Sequence, residues 1–413
     1  MSRVMQDNDI VITGIGLVSS AGMGFEGLSA SLRSGSAHRS SLRKHAAEWS
    51  DRDYIGATVN GWDPEPLLGK KGLQFMHAGS QYLLGASLLA LRDSGLEGNM
   101  PNPDELGIVI GTNLGGLKAA SRYDYTALTQ GPRYVSPMEA PNTLANSPAS
   151  YLAIRVQARA CNTTISTGQC SSLDAIGYAA NLLRKGRAKT ILVGGVEELN
   201  AHSLWVYNSM NVLPGEGAEA IGKPFDAQSA GWVPGEGAAV AVLERRADAV
   251  ARGARILGEV AAWSSSFRGG AYAAGRATAL ERAIRQSLDT AGLKPEEVCM
   301  AVAGAVGYPA HDEVEALALR AVLNDCSTPV CAAKGLFGET YGAGGLLSLA
   351  AAAAIGRSGV LPESIGYTID SAAPDGLAGM RRQSGDRQLS GGGALMSAHD
   401  YHGMSSAVVL RVG

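Results

Sequence analysis

The chain has 413 residues, a formal net charge of −3, and a composition that is 46% hydrophobic and 18% charged. This balance is typical of a soluble α/β protein with a large buried core and argues against a mainly disordered chain. The charge gives no reason to expect a nucleic-acid partner, and we interpret the one basic stretch, residues 31–44, as a solvated loop.

The first predicted element is a strand, because the apolar stretch DIVITGIGLV occupies residues 9–18. So early a strand leaves no room for a cleavable export leader. The longest apolar run, at 342–356, is shorter than the roughly 20 residues that a bilayer requires. We therefore expect a cytoplasmic location, no membrane partner and a buried helix at 342–356. The five cysteines show no CxxC spacing, so no metal or cofactor site is predicted.

An internal repeat follows. Residues 83–116 have the pattern of a helix, a Gly-Leu stop, an acidic turn and a strand ending in glycines, and residues 279–310 repeat that order. Each half also contains a strand-to-helix corner, at 164–198 and at 331–356. Apolar strands alternating with Ala-rich helices predict a layered α/β architecture. The N-termini of the two corner helices are expected to meet, which would be a sensible place for a reaction site.

Several motifs resemble one known family along nearly the whole chain. They are VITGIGLVSSAG (11–22), GTNLGG (111–116), PNTLANSPASYLA (141–153), KPFDAQSAGWVPGEGAAVAVLE (223–244) and KGLFGETYGAGG (334–345). In this order they resemble the β-ketoacyl synthases of the thiolase fold. The resemblance implies an α/β thiolase fold, in which two related halves, 1–250 and 251–413, form one layered α-β-α-β-α sandwich.

The resemblance also implies a set of catalytic positions. In that family a cysteine accepts an acyl chain from an acyl carrier protein, and two histidines promote decarboxylation of a malonyl thioester. Here Leu173 and Asp174 set the register of the corner, so that Gln169 takes the cysteine position and Cys170 follows one residue late. One residue turns a helix by about 100°, so the Cys170 thiol is expected to point into packing.

Neither histidine is at its family position. Pro309, Asp312 and Glu315 place Gly304 at the first one. His311 lies seven residues downstream, and we interpret it as a surface-loop or helix-entry residue.

At the second histidine position the chain retains Lys334 but has Glu339 instead of histidine, and a carboxylate there is expected to repel an anionic malonyl group. Near the C-terminus, His399, Asp400 and His402 replace the small or aromatic residues of a family loop, and we interpret them as a polar loop rather than a metal site.

Replacement at all three catalytic positions resembles one branch of the family, the chain-length factors of type II polyketide synthases, which have glutamine for cysteine. The resemblance implies a non-catalytic subunit without a cofactor, which forms a heterodimer with an active ketosynthase, meets an acyl carrier protein and shapes the acyl tunnel. The residues expected to face the tunnel or the partner are Leu114, Glu139, Ala140, Thr143 and Gln169. A simple tight turn at Pro141 and Asn142 is the competing interpretation of that region.

Two other functions remain open at this point. The chain could be an active condensing enzyme that uses Cys170, or a scaffold that only stabilises its partner. The sequence does not separate an aromatic polyketide product from a reduced polyene.

Overall fold

The computed structural model describes residues 6–270, 273–323, 326–370 and 377–412. The strands are β1 Ile10–Ser19, β2 Gly22–Met23, β3 Ser40–Ser41, β4 Ile55–Gly56, β5 Leu106–Gly111, β6 Cys161–Ile165, β7 Thr190–Glu197, β8 Gly237–Arg245, β9 Gly258–Phe267, β10 Val298–Val302, β11 Val330–Cys331, β12 Val360–Leu361, β13 Gly366–Ile369, β14 Met380–Arg382, β15 Arg387–Gln388, β16 Gly392–His399 and β17 Met404–Val412.

The helices alternate with these strands. They are α1 Gly24–Ser34, α2 Arg43–Ala46, α3 Glu65–Leu68, α4 Ala78–Asp93, α5 Leu117–Thr129, α6 Ser147–Val156, α7 Ser171–Arg184, α8 Ala201–Ser209, α9 Arg246–Ala251, α10 Ala273–Ala291, α11 Pro309–Leu323, α12 Lys334–Phe337 and α13 Gly344–Ser358.

The strand order shows the internal repeat. In the first half the order is β6-β5-β7-β8-β1, and in the second half it is β11-β10-β16-β17-β9, with β13 and β14 added at the outer edge. The pairing directions also match, since the first two contacts of each half are parallel and the last two antiparallel. The two sheets join where Ile10–Ile12 of β1 pairs with β9. The prediction of two related halves is confirmed, while their boundary at residue 250 stays a prediction.

The helices form three layers around these sheets. α4 and α6 cover the outer face of the first sheet, α10 and α11 cover that of the second, and α7 and α13 lie between the sheets. The middle layer is made of small residues, for example Ala179 and Ala350, which share one buried cluster. Small side chains let both helices approach both sheets closely, as close packing requires. The predicted α-β-α-β-α sandwich is confirmed.

The two corner helices meet at their N-termini, as expected. The backbone N–H of Leu346 in α13 donates to Ser172 Oγ in α7 at 3.1 Å. All residues from Gly344 to Ile355 are buried, which confirms the predicted buried helix. None of the helices in the described part of the chain is long and apolar enough to span a bilayer.

Candidate functional site

Gln169 lies where the first sheet passes into the middle layer. β6 ends at Ile165, and the chain turns through Gly168, whose φ of +63° is in the left-handed region that glycine tolerates best. Gln169 follows in a short 3-10 turn that leads into α7, and its side chain is fully buried. The structure therefore places an amide at the start of the corner helix, where the family resemblance put the nucleophile.

Glu339 and Lys334 complete a buried polar network with this amide. Gln169 Nε2 donates to Glu339 Oε2 at 2.8 Å, and Lys334 Nζ donates to the same oxygen at 2.9 Å. The other carboxylate oxygen accepts the backbone N–H of Tyr341 at 2.5 Å. Glu339 is thus neutralised by Lys334 and bound from three sides. Taken from the sequence alone, Glu339 is an isolated carboxylate that would repel a malonyl group. In the structure it is instead one half of a buried ion pair, so its negative charge is balanced by Lys334.

Cys170 packs in the protein core. It is fully buried, and its Sγ donates to the carbonyl oxygen of Ala398 at 3.4 Å. Burial raises the pKa of the Cys170 thiol well above its usual value, and the carboxyls of Asp174 and Asp400 raise it further. A reactive cysteine needs an electropositive, accessible setting that favours the thiolate, and Cys170 has neither property.

A side chain at Gly304 would crowd Glu315. A Cβ at this position would lie 2.6 Å from Glu315 Oε1 and 3.1 Å from the carbonyl oxygen of Ser397. Glu315 is itself fully buried, accepts a hydrogen bond from Ser397 Oγ at 2.7 Å, and has its pKa raised to about 7 by burial. An imidazole at this point would require the Glu315 carboxyl to move.

His311 and His399 stack on each other inside the protein. Their ring centroids are 3.8 Å apart with planes 20° from parallel, and both side chains are buried. Burial lowers the pKa of His311 well below its usual value and that of His399 to about 3, so both rings are neutral at physiological pH.

These positions decide two interpretations made from the sequence. His311 does enter a helix, α11, but it does not lie in a surface loop. Of the expected polar loop only His402 is exposed, since His399 ends β16 and Asp400 is buried. The pattern HDYH looks hydrophilic, but long-range packing of α11 against β16 encloses its first half. Among the residues that the structure describes, no group of three or more His, Cys, Asp or Glu side chains is arranged to hold a metal ion.

An aromatic cluster beside the network escaped the sequence analysis. Tyr207, Trp232, Tyr341 and Tyr401 make neighbouring ring contacts of 5.5–6.3 Å, and Leu114 packs against the same cluster. These rings come from four separate segments, so no spacing in the sequence could have shown their proximity. The cluster joins the polar network at Tyr341, whose backbone N–H donates to Glu339.

The predicted tunnel residues fall into two groups. Leu114, Glu139, Ala140 and Thr143 are half-buried. Their two loops touch, because a Cβ on Gly116 would lie 2.9 Å from the carbonyl oxygen of Thr143.

The segment Ala140–Thr143 is a 3-10 turn, which confirms the turn interpretation and leaves the tunnel assignment a prediction. Gln169 differs from the others in being wholly enclosed, and its tunnel-facing role stays a prediction.

The edge of the first sheet combines a terminal strand with exposed apolar side chains. β6 is the terminal strand and only half-buried along most of its length. α6 packs on β5 and β6, and α5 packs on the 140–143 turn. We call the large exposed apolar side chains of this region the apolar rim; they are Tyr125, Leu128, Tyr134, Met138, Leu144 and Ile154.

The sequence matches two models of known protein domains. Residues 7–249 match the model for the β-ketoacyl synthase N-terminal domain, and residues 257–368 match that for the C-terminal domain. The chain belongs to the β-ketoacyl synthase family. Together the two matches extend from residue 7 in the first half to residue 368 in the second half.

Curated relatives in this family include both synthases and β subunits. The chain is 32% identical over 414 residues to the tetracenomycin polyketide synthase ketoacyl synthase beta subunit of Streptomyces glaucescens, covering 97% of this chain and 98% of that protein. It is 31% identical over 356 residues to 3-oxoacyl-[acyl-carrier-protein] synthase 2 of Vibrio cholerae, covering 83% and 84%. The resemblance to ketosynthase β subunits is confirmed.

Solved structures show the same fold. The ishigamide ketosynthase/chain length factor matches with a TM-score of 0.86 at 23% identity, covering 98% of this chain and 99% of that chain. The AntDE:AntF complex, a type II acyl-carrier protein with its ketosynthase, matches with a TM-score of 0.85 at 22% identity, covering 99% and 100%. The thiolase-fold prediction is therefore confirmed.

Proposed function

We propose that this chain is a catalytically silent ketosynthase-like subunit that pairs with an active β-ketoacyl synthase and shapes the acyl tunnel that sets product length. The observation that carries the proposal is Gln169, a buried amide at the nucleophile position, bound to the Lys334–Glu339 ion pair. An amide cannot form the acyl thioester on which the condensation depends.

The neighbouring positions support catalytic silence. Gly304 offers no imidazole, and both carboxylate oxygens of Glu339 already accept hydrogen bonds from within the protein. Cys170 does not replace the missing nucleophile, because its thiol is buried and its pKa is raised. These features argue against the alternative of an active enzyme that uses Cys170.

The edge strand and the apolar rim support pairing. A free sheet edge presents unpaired backbone groups that invite another strand, and monomeric proteins usually protect such edges. Here β6 pairs with β5 alone among the described strands, so its other side is a free edge, and Leu128 and Ile154 of the rim are 86% and 76% exposed. Exposed apolar surface of this kind marks a protein interface. The partner proposed for it is an active ketosynthase, whose corresponding edge strand would continue the sheet.

Thr143 and Ala140 support control of length, because both lie next to this surface and have small side chains. A tunnel wall of small residues leaves room for a growing chain, whereas close-packed walls tolerate extra methylenes poorly. An acyl carrier protein would deliver that chain to the paired active subunit.

Co-expression with a ketosynthase that carries the intact Cys-His-His set tests the proposal. We expect a one-to-one complex in which a carrier-bound acyl thioester labels only the active subunit. In the same complex, iodoacetamide should alkylate the partner's nucleophile and leave Cys170 unmodified. An acyl group found on this chain during turnover would contradict the proposal.

A further inference from the structure

Asp400 lies in the turn that joins β16 to β17. Its backbone N–H donates to the carbonyl oxygen of Met404 at 2.8 Å, and its carbonyl oxygen accepts from Gly403 at 3.0 Å. Its side-chain Oδ1 accepts the backbone N–H of His402 at 2.8 Å. These three bonds fix both the turn and the direction of the carboxylate.

The second carboxylate oxygen points at the Gln169 turn. Asp400 Oδ2 lies 3.4 Å from the backbone nitrogen of Gln169, and it would lie 2.0 Å from a Cβ on Gly168. Asp400 is 1% exposed, so this approach occurs in the protein interior. The hydrogen bond from His402 to Oδ1 is an ordinary contact within the turn. The contact of Oδ2 with Gln169, which is 231 residues away in the chain, is not needed to form that turn.

The backbone N–H of Gln169, which Asp400 approaches, is a candidate hydrogen-bond donor for acyl transfer. In acyl transfer the carbonyl oxygen becomes negatively charged, and a backbone N–H at the nucleophile itself is a common donor to that oxygen. At position 169 this N–H also belongs to the turn that opens α7, where the helix dipole favours negative charge. The carbonyl oxygen of a thioester would have to accept a hydrogen bond from this N–H, but the Asp400 carboxylate already occupies that position.

We infer that Asp400 is a built-in plug of the oxyanion position, which keeps this chain silent independently of the missing cysteine. This inference rests on the proposed function of a non-catalytic subunit. It assigns a role to the buried carboxylate of the HDYH segment, and it predicts that restoring a thiol alone will not restore acyl transfer.

Two thiol reactions separate the plug from other causes of silence. Alkylation by iodoacetamide requires a thiolate but no oxyanion donor, whereas acylation by acetyl-CoA requires both. We would compare the full-length variants Gln169→Cys and Gln169→Cys/Asp400→Ala, measuring both rates by intact mass and locating the label by peptide mapping. We expect the ratio of acylation to alkylation to rise at least tenfold in the double variant.

Asp226 offers a matched control. Its Oδ1 accepts the backbone N–H of Gln228 at 2.8 Å, the same turn bond that Asp400 makes with His402. Gln169→Cys/Asp226→Ala should leave the ratio unchanged within twofold. If Asp400→Ala fails to fold, Asp400→Asn keeps the turn acceptor and removes the charge, and it should still raise the ratio at least threefold.

An unchanged ratio in the Asp400 variants, a double variant that acetyl-CoA still does not acylate, or efficient acylation of Gln169→Cys alone would overturn the plug. Acylation of the unmodified chain by acetyl-CoA would instead overturn the proposed function, so the two failures are distinguishable.

Discussion

The carboxylate of Glu339 accepts a hydrogen bond from the side-chain amide of Gln169 at 2.8 Å, with both side chains fully buried. These two residues lie at the positions that the family resemblance assigns to the nucleophile and to one histidine, and they contact each other directly. The replacements are therefore one structural unit, in which Lys334 supplies the balancing charge.

Removing the charge of Glu339 should destabilise the protein strongly. Glu339→Gln leaves Lys334 as an unpaired buried charge, which costs about 3–5 kcal/mol in free energy of unfolding. Urea denaturation of the isolated chain measures this. Glu65→Gln, which breaks the exposed pair with Lys70, is the control and should change the free energy by about 1 kcal/mol or less. Equal effects of the two substitutions would show that the buried network contributes little to stability.

A charge in the apolar rim should weaken pairing with the ketosynthase. Ile154→Glu would place a carboxylate on a side chain that the proposed interface buries, and losing one such contact costs about 1.5–3 kcal/mol, or roughly 10- to 100-fold in Kd. Val250→Glu on α9 is a matched control, because Val250 is also an exposed β-branched residue outside the rim. Titration calorimetry with the purified partner measures both. A normal Kd for Ile154→Glu would place the interface elsewhere.

A bulky residue at position 143 should shorten the product. Thr143→Trp would fill space beside Ala140, so a growing chain would meet the wall of the tunnel earlier. Mass spectrometry of products from the reconstituted pair measures chain length. Thr290→Trp is the control, since Thr290 also bonds a backbone carbonyl through its hydroxyl but lies exposed on α10. If Thr143→Trp lowers yield and partner solubility at constant length, the scaffold function is favoured.

Stability should fall as the pH rises through the range in which Glu315 ionises. Burial raises the pKa of Glu315 from 4.5 to about 7 in the folded protein, so the folded state binds more protons than the unfolded state between these values. This group therefore favours folding fully below about pH 4.5, and its contribution is lost as the pH rises toward 7.

Glu315→Gln removes this titration and should flatten the pH dependence of unfolding between pH 5 and 8, by up to about 3 kcal/mol. Chemical denaturation at several pH values measures the change. A slope identical to that of the unmodified chain would show that Glu315 does not titrate in this range.

Much of the fold was predictable because local patterns repeat. The helix–turn–strand order of 83–116 and 279–310 corresponds to α4 with β5 and to α10 with β10, and the alanine run at 342–356 became the buried helix α13. The sequence also predicted that Gln169 and Cys170 point in different directions, since consecutive residues of a helix are rotated by about 100°. Such features depend on neighbours in the chain.

The sequence by itself thus determined the layered halves, the absence of a thiol at residue 169 and the inward direction of Cys170. Only the tertiary structure decided that Lys334 neutralises Glu339, that His311 stacks on His399, and that Asp400 meets the backbone of Gln169. These contacts join segments from separate strands and helices, and their energies depend on burial. A carboxylate or imidazole that looks solvent-exposed in a polar stretch has different chemistry once packing excludes water around it.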